Sequence, residues 1–130
     1  MRFARHLLFA LAAAWAIAGP AAAAEFRNFS TQGFAAARNE GAPILVVVAA
    51  DWCPTCRAQE ARIHDIVADH AFDQMVVIRI DYDQQRDAWR ALGVRERSTL
   101  IAYHGARETG RLIGTTDQHE IDALMRTALR

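Results

Sequence analysis

The chain has 130 residues, 52% of them apolar, and its 15 basic residues, all arginine, balance its 15 acidic ones. Setting aside an N-terminal leader that holds Arg2 and Arg5 leaves thirteen arginines against fifteen carboxylates, a formal charge of minus two. That balance offers no basic face, which excludes nucleic acid and anionic lipid as favoured partners.

Residues 1–24, MRFARHLLFALAAAWAIAGPAAAA, open with Arg2 and Arg5 and continue with an apolar run from Leu7 to Ala18. A Gly-Pro break and a string of small residues follow. This is the layout of a secretory signal peptide, cut after Ala23 or Ala24. The apolar run is about a dozen residues, short of the roughly 20 that a bilayer span needs, so no stable membrane insertion is expected after cleavage. An uncleaved anchor is the alternative, and it leaves the same domain outside the membrane. Residues 25–130 are expected to form one domain, near the modal domain size.

Ser30 or Thr31 caps a short helix containing Phe34 and Ala37, stopped by Gly41 with Pro43 just beyond. ILVVVAA, residues 44–50, is a continuous apolar, β-branched run, the mark of a central strand covered on both faces. From Pro54 to about His70 the pattern turns helical, with Ile63, Ile66, Val67 and His70 on one stripe. His70 reads there as a hydrogen-bonded core residue and His64 as a solvated one. MVVIRIDY, residues 75–82, is a second buried strand. Gln85, Ala88, Trp89 and Leu92 share a helical face that Gly93 ends. TLIAY (99–103) and ETGRLIG (108–114), joined through HGA, read as a hairpin. Asp117 and Glu120 form a capping box for a last helix with the stripe Ile121, Leu124, Met125, Ala128 and Leu129. The alternation predicts an α/β chain with a mixed sheet between helices.

The only two cysteines, Cys53 and Cys56, fall where the first strand gives way to a helix. Pro54 suits the first helical position, which puts Cys53 at the N-cap. A sulfur there faces free N–H groups and the positive end of the helix dipole, and both favour thiolate over thiol. A lowered thiol pKa is what attack on a disulfide requires. Cys56 lies one turn further in, less exposed, close enough to displace a mixed disulfide. Three other uses of the pair stay open. A structural bridge across so short a loop removes little unfolded-chain entropy. Zinc needs two more ligands, and beyond His64 and His70 only His104 and His119 are available, far along the chain. A binding module with idle thiols is the third, because C-x-x-C alone is a modest signal.

With a buried strand before it and a hairpin and final helix after it, Ala50-Asp51-Trp52-Cys53-Pro54-Thr55-Cys56-Arg57 resembles the thioredoxin family over essentially all of residues 25–130. The wording is similar to that of bacterial periplasmic thioredoxin-like proteins and of the C-terminal domain of the transmembrane thiol:disulfide interchange protein. The resemblance implies a thioredoxin-like α/β fold, with a central mixed β-sheet flanked by helices on both faces. It also implies a redox-active Cys53–Cys56 disulfide without cofactor or metal, Cys53 attacking and Cys56 resolving. Trp52 would pack beside the disulfide and shape the surface where substrates dock.

Two positions depart from the family. The strand entering the family's active site carries a buried aspartate six positions before the first cysteine, and this chain has Val47. Proton handling then falls to water or to Glu60, one turn after Cys56, with pairing of Glu60 to nearby arginines as its other use; Asp51 is equally open. The family also has a cis-proline just before Thr99, where this chain has Ser98. A cis bond before a non-proline costs about 3 kcal/mol, so the Arg97–Ser98 peptide is expected to be trans. Two readings of Ser98 stay open: a hydroxyl brought toward the sulfurs, where it can hydrogen-bond a thiolate, or a plain loop serine.

The expected function is reduction of protein disulfides in a Gram-negative type periplasm, as in cytochrome c maturation or repair of misoxidised proteins, with electrons from a transmembrane thiol:disulfide carrier. Pro54 and Thr55 between the cysteines tune the potential without deciding its direction, and reduction potentials in this fold span about 150 mV. The alternatives are a disulfide-forming oxidase and a redox-sensing binding or chaperone-like protein.

Overall fold

The computed structural model describes residues 23–130; all but the last two residues of the expected signal peptide lie outside them. In chain order the elements are β1 (Glu25–Asn28), α1 (Thr31–Asn39), β2 (Pro43–Ala49), α2 (Pro54–Ile66) and a 3-10 turn (His70–Phe72). Then come β3 (Val76–Asp81), α3 (Arg86–Ala91), β4 (Thr99–His104), β5 (Arg107–Ile113) and α4 (Gln118–Thr127). The strands form one sheet in the order β1-β3-β2-β4-β5. β1, β3 and β2 run parallel, and β4 and β5 continue the sheet antiparallel. Among the described residues no helix is long and apolar enough to cross a membrane.

The central place of β2 explains its unbroken apolar run. Leu45, Val47 and Ala49 face one layer, packed with Ile63 and Ile66 of α2 and with Ile121 and Met125 of α4. Ile44, Val46 and Val48 face the other, against Phe34 of α1 and Trp89 of α3. A strand with two covered faces has no polar side to alternate with. The expected α/β architecture, a mixed sheet with helices on both faces, is the one observed.

Local chemistry sets the helix ends. Ser30 Oγ accepts the Gly33 N–H at 3.0 Å and starts α1, and Gly93, at φ 72°, follows the end of α3 in the left-handed region that glycine enters freely. The Asp117 side chain accepts the Glu120 N–H at 3.0 Å. The capping box closes on that side only, because the Glu120 carboxylate bonds the Thr115 hydroxyl, which itself accepts the Asp117 N–H at 3.2 Å.

Two expectations are corrected. The helix after Pro54 ends at Ile66, short of His70, because the Asp69 carboxylate accepts the Ala71 N–H at 2.9 Å and begins a separate 3-10 turn. That turn buries Phe72 completely and leaves the His70 side chain 89% exposed, 3.1 Å from Asp73. His70 is therefore a surface residue. The second correction is β1, absent from the sequence pattern. It is four residues long, mostly exposed, and held by parallel backbone pairing to β3, which leaves no apolar period to read.

Candidate active site

β2 runs out at Ala49, a tight turn closes with the Cys53 N–H on the Ala50 carbonyl at 3.1 Å, and α2 begins at Pro54. Cys53 is the N-cap in extended backbone, and its Sγ accepts the Cys56 N–H at 3.1 Å. The sulfur thus fills the position that a serine or aspartate oxygen normally takes at a helix start. Cys53 and Cys56 are joined as a disulfide, 2% and 0% exposed respectively. Pro54 is exposed and Thr55 half-buried on the first turn of α2.

Ser98, at the mouth of β4, closes over the sulfurs. Its Oγ lies 3.3 Å from Cys53 Sγ and 3.1 Å from Cys56 Sγ. The backbone is left-handed at φ 60°, and no peptide bond among the described residues is cis. A non-glycine residue in that region costs about 1–2 kcal/mol and persists only where neighbours over-determine it. Here they do: the Ser98 N–H donates to Val48 O at 2.8 Å, and its carbonyl accepts Gly114 N–H at 2.9 Å and Gln59 Nε2 at 3.0 Å. Thr99 is buried and turns its hydroxyl to Glu96 O at 2.7 Å, which shapes the loop rather than touching the sulfurs.

Trp52 is 54% exposed, its indole N–H donating to Asp83 at 2.8 Å and its ring lying 4.5 Å beneath the Arg97 guanidinium. It is an anchored surface aromatic at the edge of the site. Glu60 does not hydrogen-bond either sulfur. Its carboxylate takes Arg79 Nε at 3.0 Å, and the same guanidinium holds Asp51 at 2.9 Å and approaches Asp81 at 3.7 Å. Burial pulls the Arg79 guanidinium down, but the Glu60 hydrogen bond and the three carboxylate charges outweigh it and hold Arg79 above its ordinary range. Val47 is 2% exposed, its Cα paired with those of Arg79 and Leu100 on the neighbouring strands.

Gln59 was missed at the level of sequence. It is fully buried on the α2 stripe with Cys56, Ile63 and Ile66, and a polar residue at that spacing was the available signal. Among the described residues no three His, Cys, Asp or Glu side chains gather to hold a metal ion. His64 stacks on Phe26 at 4.3 Å, and His104 bonds the Ala128 carbonyl.

The family model for thioredoxin matches residues 25–127. The chain belongs to the thioredoxin family. Among solved structures, Trxlp from Edwardsiella tarda EIB202 is 36% identical with a TM-score of 0.74, covering 77% of this chain and 98% of its own. A thioredoxin from Alicyclobacillus acidocaldarius subsp. acidocaldarius is 27% identical over 88 residues, 68% of this chain and 83% of that protein. The thioredoxin of Malassezia sympodialis shares the fold, with a TM-score of 0.70 at 17% identity, covering 83% of this chain and 95% of its own. This member is a thioredoxin-like disulfide oxidoreductase whose redox pair is Cys53 and Cys56. Against the thioredoxin pattern it has valine for the buried aspartate and a left-handed, trans serine for the cis-proline.

Proposed function

We propose that residues 25–130 act as a protein-disulfide reductant in a bacterial periplasm, exported by the cleaved leader of residues 1–24. Protein thiols and disulfides are the substrates this fold implies. Cys53 attacks as the thiolate, forming a mixed disulfide with one client sulfur and releasing the other as a thiolate that takes up a proton. Cys56, once deprotonated, attacks Cys53 Sγ and expels the second client sulfur. The client gains two electrons and two protons, and the Cys53–Cys56 disulfide is left to be reduced by a dithiol donor. A transmembrane carrier of the thiol:disulfide interchange type is the donor suited to that compartment. Cytochrome c maturation and repair of misoxidised proteins are the processes that consume such electrons.

The observation that carries the exchange chemistry, with Cys53 as the attacking thiolate, is its place at the N-cap of α2, its sulfur accepting a helix N–H at 3.1 Å. The reducing direction rests on the resemblance of residues 50–60 to reductive periplasmic proteins. The same environment favours the disulfide-forming direction as a second reading, because donors aimed at a thiolate stabilise the reduced state and raise the potential. The Cys53–Cys56 potential decides between them. A value near the roughly −270 mV of reducing thioredoxins supports reduction, and one near about −120 mV establishes an oxidase. Insulin turnover with dithiothreitol separates both from a sensor, which binds clients without turning over. N-terminal sequencing of the periplasmic fraction tests the export step, and an intact Met1 on cytoplasmic protein would refute it.

A further inference from the structure

Gln59 spans three segments that the chain leaves far apart. From α2, one turn beyond Cys56, its Nε2 donates to Ser98 O at 3.0 Å and to Thr115 O at 2.9 Å. Both acceptors are carbonyls, so only the NH2 end of the amide can face them. The other end, Oε1, is buried and meets no hydrogen-bond partner among the described residues, in a side chain of 0% exposure. A buried acceptor without a hydrogen bond is a penalty that an apolar side chain at this position avoids. What the polar side chain contributes here is therefore what its nitrogen does.

That nitrogen holds the Ser98 carbonyl, and with it the left-handed backbone that aims Ser98 Oγ at both sulfurs. We propose that Gln59 is a positioning residue for the redox pair, setting the acidity of the Cys53 thiol through the orientation of the Ser98 hydroxyl. In the reduced protein that hydroxyl donates to the Cys53 thiolate as a second hydrogen bond beside the Cys56 N–H, and hydrogen bonding to the charged form lowers a pKa. Without the amide, the Ser98 backbone keeps two of its three hydrogen bonds, those to Val48 O and Gly114 N–H, and the hydroxyl is held less firmly against the sulfurs. The inference rests on Cys53 being the attacking thiolate, and on neither direction of electron flow.

The test is the pH profile of iodoacetamide labelling in the reduced full-length protein, read separately for each cysteine by peptide mass. Four forms are compared: parent, Gln59→Met, Ser98→Ala and the double variant. Both single substitutions should move the Cys53 midpoint upward by about one pH unit, and the double should move it no further than Ser98→Ala alone. Gln59→Asn, one methylene short of both carbonyls, gives the same readout should the methionine variant fail to fold. An unmoved midpoint in Gln59→Met or Gln59→Asn, with Ser98→Ala shifted, overturns the positioning role, as do shifts that add in the double variant. Faster labelling of Cys56 than of Cys53 in the parent overturns instead the assignment of Cys53 as nucleophile. A purely structural Gln59 would lower the melting temperature and leave the profile where it is.

Discussion

The Ser98 backbone N–H donates to the Val48 carbonyl at 2.8 Å, which ties the mouth of β4 to the end of β2 directly above the disulfide. Restoring the family's proline removes that donor and demands φ near −65°, where the chain holds 60°. Ser98→Pro is therefore expected to lose about 3 kcal/mol or more, measured by urea unfolding. Ser98→Gly and Ser98→Ala lose the same hydroxyl, but glycine sheds the left-handed strain. The glycine variant should be the more stable of the two by about 1 kcal/mol. An alanine variant as stable as the glycine variant would show that the backbone at 98 is unstrained.

The two thiols should divide their labour. Cys56→Ala is expected to accumulate mixed disulfides with client proteins, because Cys53 still attacks and nothing releases it. Cys53→Ala should trap none. Non-reducing gels of extracts from cells producing each variant read the difference, and adducts through Cys56 would reverse the roles.

Val47 occupies the family's aspartate position on the disulfide side of the sheet, and the neighbouring Arg79 is already engaged by Glu60 and Asp51. Val47→Asp therefore buries a carboxyl without a free partner. Its folded pKa should rise above the unfolded value of roughly 3.9, so the penalty is absent below that pH and grows as pH rises toward the folded pKa. We expect a loss of roughly 3–5 kcal/mol at pH 7, shrinking markedly at pH 4. Equal destabilisation at both pH values would mean that the carboxylate is accommodated.

Asp69 shows the opposite sign. The Ala71 N–H, and then Arg126 at 3.0 Å, hold its carboxyl below the ordinary aspartate value. A depressed pKa gives stability that is present above the unfolded pKa and lost as pH falls through the folded one. Asp69→Asn keeps an oxygen for Ala71 but drops the charge facing Arg126. Its melting temperature should fall below the parent's at pH 7, with the gap closing by pH 3. Because the pair is exposed, added salt should narrow the same gap.

Much of this protein was legible from residue order alone. Continuous apolar runs marked β2 and β3, Pro54 marked the start of α2, and Cys53 was placed at its cap, because these features depend on neighbours within one turn or one strand. Helix ends were less legible. α2 stops at Ile66 because Asp69 captures the Ala71 N–H, a side-chain choice that the stripe through His70 does not reveal. β1 was invisible because its evidence is a backbone ladder to residues 76–79, far along the chain.

Tertiary structure alone decided how the site is finished. Sequence placed Ser98 near the disulfide through family resemblance, but its left-handed backbone and its contact with both sulfurs come from three hydrogen bonds, to Val48, Gly114 and Gln59, on separate segments. Glu60 stood open between a proton carrier and an arginine partner, and the fold brought Arg79 to it across from β3. Gln59 passed unnoticed because a glutamine on a helix reads as solvated until the sheet and two loops close over it. Local patterns specify elements, since propensity and capping act over a few residues. The environment of a sulfur is set by groups that only folding brings into contact with it.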